Sequence, residues 1–323
     1  MSYSRCASHS APEGNGWYDA SPIALKQFIG SLFNEASRSS HLTRSPNNVI
    51  HGLISPHAGI SYSGKTASAV YSKLYDYLYG GGNQTKRIFI MGPSHHKGFN
   101  GAEVSHASAY ETPFGPVSVD ITTAAAVLGK FSQAGIPANW TTKQVDEEEH
   151  SIEMQLPFIS YILHFPQGQA QAAAVSRVSI VPIIIGWTDR GLEERMSDAL
   201  QEYLNDPSNV FILSSDFCHW GSRFRYTYHY QRDTYPNIGE AIIALDHRAI
   251  SLLHNKDIDG WYDYLEQTNN TICGRNPIGI GLNAWVNKLA SKVTVDFVSY
   301  SQSNKCQNAK DSSVSYASAL IYS

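Results

Sequence analysis

Four short apolar runs, residues 49–55, 87–92, 179–186 and 210–215, constrain this chain more than any other feature of its sequence. Each run is continuous rather than alternating, the pattern of a strand buried on both faces. Helix-patterned stretches lie between them: 64–79, a run opened by Asp120 and ending near Gly135, and 189–203. Doubly buried strands alternating with helices predict a largely parallel sheet covered on both sides, a three-layer α/β sandwich. Residues 294–300 and 314–322 alternate apolar with polar, so two antiparallel strands are expected to extend that sheet and make it mixed. Further helices are expected at 22–36, where Ser21 precedes Pro22 as cap and first-turn proline, and at 146–155, 238–254, 258–266 and 278–289. Pro157 must kink the helix before it or restart one. Residues 101–119, with Pro113, Gly115 and Pro116, read as a hairpin-like excursion, 37–48 as a polar loop, and 80–83 as a helix stop. No linker or repeat divides the 323 residues. A single domain, 1–323, is expected, with the small polar residues 1–16 lying as an arm on its surface.

The bulk properties narrow the class. A net charge of −4 and a pI near 6.3 argue against the basic face that nucleic acid requires. The longest apolar run, 180–187, is far short of the ~20 residues needed to span a bilayer, and residues 1–22 contain no apolar signal core. A soluble protein of the cytoplasm, with the nucleus as a second compartment, is expected, with neither nucleic acid nor membrane as partner. Cys6, Cys218, Cys273 and Cys306 form no C-x-x-C pair. Such isolated thiols suit a reducing compartment, as core residues, metal ligands or nucleophiles.

Polar residues collect where three of the strands end. The first run leads into Ser55, Pro56 and His57, the second into Pro93, Ser94, His95 and His96, the fourth into Ser215, Asp216, Cys218 and His219. In an open α/β sheet, ligands bind beyond the carboxyl ends of the strands. One loop histidine is usually only a solvated side chain, but three histidine-bearing loops at three strand ends favour a metal site. A rival reading shares the first loop, because Gly59 to Thr66 spells G-x-x-x-x-G-K-T, a phosphate-cradling pattern, and Asp216 could then hold Mg²⁺. Against it, Pro56, His57 and Ala58 separate the pattern from its strand, and Ile60 and Tyr62 put bulk in the loop. It also leaves His57, His95 and His219 without a task. Serine-hydrolase chemistry is weaker, since Gly92 to His96 lacks the closing glycine of a nucleophile elbow. His150 and Glu153 share a helix face, but an acidic helix N-terminus explains them equally well. Cys218 reads as a core thiol. Cys273 stays open between packing and function, with Arg275 nearby to favour its thiolate. Tyr62, Trp220, Tyr226, Tyr228 and Tyr230 are core or rim residues, or walls of a pocket for an aromatic ligand.

Six segments carry a resemblance: ISPHAG from Ile54, IFIMGPSHH from Ile88, DEEEHSIEMQ from Asp146, SSDFCHWGSRFRY from Ser214, TICGRNPIG from Thr271 and DSSVSYA from Asp311. They resemble the Memo family, mediators of receptor-tyrosine-kinase-driven cell motility, and the resemblance runs from about Trp17 to the C-terminus. That family is similar in fold to the class III extradiol dioxygenases, which open catechol rings with Fe(II) held by two histidines and a carboxylate. The resemblance therefore implies a class III extradiol dioxygenase-like α/β sandwich. It implies His57 and His95 as the histidine ligands, selecting His95 over His96, and Cys273 in the carboxylate position. Asp216 and His219 are implied as acid–base or supporting groups, and Trp17 as a pocket wall; His96, Tyr62, Cys218 and Arg275 are expected around the same pocket. A His₂Cys set suits copper or iron, with zinc as a third metal, and an oxidisable sulfur makes ring cleavage doubtful. The implied function is that of a redox-active copper- or iron-binding protein in signalling, cytoskeletal organisation, cell motility or invasive growth; if an enzyme, a copper- or iron-dependent oxidoreductase. The alternative is a non-catalytic adaptor whose pocket binds a phosphotyrosine-type peptide or small ligand, with a signalling protein as partner.

Overall fold

The structure, a computed structural model, describes residues 3–12, 15–39, 48–80, 85–166, 172–230, 234–289 and 293–323. Most of the expected 37–48 loop and of the 80–83 helix stop lies outside the described residues. Among the described residues the main sheet has nine strands: β1 (Ile50–Ser55), β2 (Arg87–Pro93), β3 (Ala102–Val104), β4 (Ala138–Trp140), β5 (Ser179–Ile185), β6 (Asn209–Ser214), β7 (His219–Trp220), β8 (Thr294–Gln302) and β9 (Ser313–Tyr322). Their order is β7-β9-β1-β6-β2-β5-β3-β4, with β8 also paired to β9. The four apolar runs are its centre, β1, β6, β2 and β5, and they pair in parallel. Around them β9 joins β1, β8 joins β9, β7 joins β9 and β3 joins β5, all antiparallel. The sheet is mixed, as expected. Within the 101–119 excursion, β3 reaches the main sheet and Ala109–Tyr110 pairs antiparallel with Val117–Ser118.

Helices cover both faces: α1 (Pro22–Ser39), α2 (Ile60–Tyr79), α3 (Ile121–Gln133), α4 (Lys143–Glu148), α5 (His150–Glu153), α6 (Leu156–His164), α7 (Arg190–Leu204), α8 (Ile238–His254), α9 (Ile258–Thr268) and α10 (Arg275–Leu289). Side-chain alternation along the strands divides the core in two. Phe89, Met91, Val181, Ile183, Phe211 and Leu213 pack with Leu192, Met196 and Leu200 of α7 and Ile278, Leu282 and Trp285 of α10. Ile88, Ile90, Ile180, Ile184, Val210 and Ile212 face the other way, onto Leu25 and Ile29 of α1, Val70 and Leu74 of α2 and Phe158 of α6. Each such side chain, fully buried, contributes roughly 1.5–3 kcal/mol. Gly52 marks where Trp285 lies against the sheet: a Cβ there would stand 2.8 Å from the indole and 2.7 Å from the Phe211 carbonyl oxygen. Among the described residues, no helix is long and apolar enough to cross a membrane.

Several boundaries differ from expectation, each for a local reason. Helix α2 begins at Ile60 rather than 64, with Gly59 extended at its cap (φ −49°, ψ 137°). Most of the G-x-x-x-x-G-K-T letters are therefore helix, not a phosphate-wrapping loop. Lys65 pairs with Glu35 on the surface, and Thr66 meets the Ser301 hydroxyl. Gly64 sits where α1 crosses, since a Cβ there would lie 2.9 Å from Leu32. Helix α10 begins three residues early, with Pro277 in its first turn, where a missing N–H costs nothing. The expected 146–155 helix is broken at Glu149, which is extended, and Pro157 belongs to the restart in α6. Residues 3–12 run over the surface, but Ser4 and Arg5 pair in parallel with Ala109 and Tyr110, and Arg5 is wholly buried.

Candidate metal centre

Strands β1, β6 and β2 are neighbours, so the loops after Ser55, Ser214 and Pro93 meet at one end of the sheet. There one ring nitrogen each of His57, His95 and His150 lies within 4.8 Å of the other two, a group that could hold a metal ion. Neighbouring hydrogen bonds fix the His57 tautomer. The Ser214 hydroxyl donates its one hydrogen to the Ser151 carbonyl at 2.7 Å and accepts from Gln155 Nε2 at 2.9 Å. Its 2.8 Å contact with His57 Nδ1 must then be donated by the ring. Gln155 is itself oriented, because its Nε2 also donates to the Pro56 carbonyl and its Oε1 accepts from Tyr71. His57 thus presents a bare Nε2. Burial, with help from the charge of His95, holds its pKa well below the ordinary value, so the ring stays neutral.

His95 is oriented by Glu149. Its backbone N–H donates to Glu149 Oε2 at 2.6 Å and its Nδ1 contacts Oε1 at 2.8 Å. A carboxylate behind an imidazole, leaving Nε2 facing a centre, is the usual arrangement behind a histidine metal ligand. Burial opposes charge on His95, but hydrogen bonds to Cys273 and Glu149 outweigh it and raise the ring to about 10. Glu149 is buried, yet the His95 hydrogen bonds hold its carboxyl far below the usual range. The break between α4 and α5 is what lets one residue do this: extended at Glu149, the chain turns the carboxylate to His95 and caps Ser151 N–H. His150 follows directly. Its ring stacks on His95 at 4.3 Å and 17°, and Trp17 lies 4.3 Å away. Burial, then the charges of His57 and His95, push His150 down to about 2.

Cys273 comes from the turn before α10. Its Sγ lies 3.1 Å from His57 Nε2, accepts the Asp216 N–H at 3.2 Å and is in hydrogen-bond contact with His95. Burial raises the thiol, with the His95 contact opposing. Asp216 is buried, and its Oδ1 accepts the backbone N–H groups of His57 (2.8 Å) and Ala58 (3.3 Å), bracing that loop. His219 contacts two carbonyls through Nδ1, Phe217 at 2.9 Å and Thr271 at 3.1 Å, so Nδ1 carries the proton and Nε2 is free. Two or three imidazoles beside a thiol are a donor set that fits copper, iron or zinc.

The remaining candidates divide. Trp17 is 39% exposed and packs against His150 with ring centroids 4.3 Å apart, and Tyr62, in the first turn of α2, is 65% exposed. His96 is exposed, its ring 6.0 Å from His150 and edge-on. Cys218 does not belong with them. It is wholly buried in the apolar core beside Asp246, and burial drives its thiol far upward. Arg275 is exposed, and its charge acts on Glu193. His150 is the residue that sequence reasoning passed over. Its spacing to Glu153 suggested one shared face, whereas the two point to different partners, His150 to the imidazoles and Glu153 to Arg5.

Comparisons with known proteins agree with one another. A family profile described as Memo-like protein matches residues 10–320. "Protein MEMO1" of Xenopus laevis is 34% identical over 319 residues, 98% of each chain, and the Homo sapiens protein of that name is 33% identical over the same share. "Protein memo-1 homolog" of Caenorhabditis elegans is 33% identical over 323 residues, 99% of this chain and 83% of that one. With a profile match over nearly its whole length and relatives of this similarity, the chain belongs to the Memo family.

Proposed function

We propose that this protein is a redox-active metal-binding protein that holds copper or iron through His57, His95 and Cys273, with His150 as a further imidazole. The observation that carries the reading is the convergence of three imidazole nitrogens within 4.8 Å and a thiol 3.1 Å from one of them. A bound copper or iron ion would supply one-electron redox chemistry. The protein's own part is to hold the donors in place: Ser214 fixes His57, Glu149 orients His95, and Asp216 braces the first loop. His219, with a free Nε2, is the group suited to hold or move a proton at the pocket. The sulfur donor weighs against repeated oxygen activation, so ring cleavage is not part of the proposal. Membership in the Memo family supports a role in signalling and cell motility, in the cytoplasm and nucleus. Metal analysis of purified wild type, Cys273→Ser and His150→Ala tests the ligand set. Wild type should retain stoichiometric copper or iron, Cys273→Ser should lose most of it together with any thiolate-to-copper absorption band, and His150→Ala should weaken it. Equal uptake by wild type and Cys273→Ser would remove the thiol from the site. The exposed Trp17 against His150 supports a second reading, an adaptor for a phosphotyrosine-type peptide. Peptide affinity that survives thorough chelation would favour it.

A further inference from the structure

Away from the imidazoles, a buried polar network joins the N-terminal residues to α4 and α5. Arg5 is fully buried, and all three of its guanidinium nitrogens donate hydrogen bonds, four in all. Nη1 donates to Glu153 Oε2 at 2.5 Å and to the Cys6 carbonyl at 2.7 Å, Nη2 to the Glu149 carbonyl at 2.9 Å, and Nε to the Asp146 carbonyl at 2.9 Å. Glu153, also buried, accepts the His9 backbone N–H at 2.9 Å and the Tyr18 hydroxyl at 2.6 Å, and meets His9 Nδ1 at 2.8 Å. Asp146 accepts hydroxyls from Tyr3, Ser105 and Tyr110. The segment continues to the cluster. Trp17 N–H donates to the His9 carbonyl, Ile60 N–H donates to the Trp17 carbonyl, and the indole lies over His150.

A buried guanidinium is costly unless each donor is met. Here the donors meet carbonyls left free where α4 ends and the chain breaks at Glu149. Arg5 therefore holds the backbone from which Glu149 leaves toward His95, and from which His150 leaves one residue later. Trp17, tied to the same segment, packs its indole against the His150 ring at 4.3 Å.

We propose that residues 3–12, with Trp17 and Tyr18, form a clasp locked by the buried Arg5–Glu153 pair, and that this clasp positions Glu149 and His150 and governs how readily the His150 side of the cluster opens. The positioning stands on geometry alone; its effect on metal exchange rests on the metal-centre reading. Arg5 is on this account a positioning residue.

Arg5→Met alone would strand Glu153 without a cation, so the test uses the full chain as Arg5→Met/Glu153→Gln, with Arg5→Lys beside it. In metal-free protein, carbethoxylation of each histidine by diethyl pyrocarbonate is followed peptide by peptide. In copper-loaded protein, capture of Cu²⁺ by a chelator is timed. In the double variant, His150 labelling and copper loss should each quicken by about tenfold through local opening, while His51, His164 and the thermal midpoint stay near wild type. Arg5→Lys keeps the charge without the fork and should fall between; if the double variant does not fold, this variant carries the test. Unchanged His150 labelling in a folded variant overturns the clasp, and so does equal quickening at every histidine, which reports general loosening. Wild type that binds no copper would remove the metal-centre reading, and the labelling result would then decide the clasp by itself.

Discussion

Glu149 joins three tasks in one side chain: it orients His95, caps Ser151 and ends α4. Its effect on the centre is testable with little change of shape. Glu149→Gln keeps an acceptor for the backbone but removes the charge behind the imidazole, and metal affinity should fall about 10–100-fold, as for other groups behind ligands. Competition titration against a chelator of known affinity measures it, and an unchanged affinity would mean that the carboxylate serves only the turn. At this scale strand-end position marked His57 and the pair His95 and His96 as candidates, while the choice of His95 over His96 came from the family resemblance. His150 was not legible. Its neighbours are acids with an ordinary explanation at a helix start, and only the break at Glu149, which no local propensity announces, turns it inward. Cys218 misled for the opposite reason. It is one residue from His219, but successive side chains in an extended stretch point to opposite sides, and its side is the core.

Elements show the same contrast between pattern and contact. The G-x-x-x-x-G-K-T letters are a complete match, yet Gly59 begins a helix and Gly64 serves the crossing of α1 over α2. The letters could not separate these outcomes, since the distinction lies in which neighbour needs the space. A second consequence at this level concerns Glu193 of α7, which accepts hydrogen bonds from Thr188 and from Tyr262 of α9. Burial raises its carboxyl from 4.5 to about 7, despite those hydrogen bonds. Between those two values the folded chain holds a proton that the unfolded chain has released, so this group's contribution is full below pH 4.5 and is lost as pH rises through about 7. At about 1.4 kcal/mol per unit, the loss is on the order of 3 kcal/mol. Urea midpoints at pH 5, 7 and 8.5 should decline across the series, and Glu193→Gln should flatten the decline and gain stability at pH 8.5. A decline of equal size in the variant would assign it elsewhere.

Across the whole molecule, the four apolar runs foretold the parallel centre of the sheet, and alternation in the last two strands foretold its antiparallel extension. Strands β3 and β4, three residues each, were beyond reach because so short a segment has no readable period. If metal binds only the native fold, free metal at 100 times its dissociation constant adds about 2.7 kcal/mol to stability. Thermal scans should therefore rise by several degrees on loading with copper or iron and return after chelation, and by much less in Cys273→Ser. An equal rise in both would place the metal elsewhere. The contact between His57 and Cys273 has a further meaning in time. The two residues are 216 positions apart, and their side chains touch only across a sheet whose strands come from both halves of the chain. Long loops close late, because their entropy must be met before the contact rewards it. During synthesis, the imidazole of the first loop waits for most of the protein to emerge before its sulfur partner exists. A chain that holds a metal through both has completed its fold, and the centre is in that sense a mark of maturity.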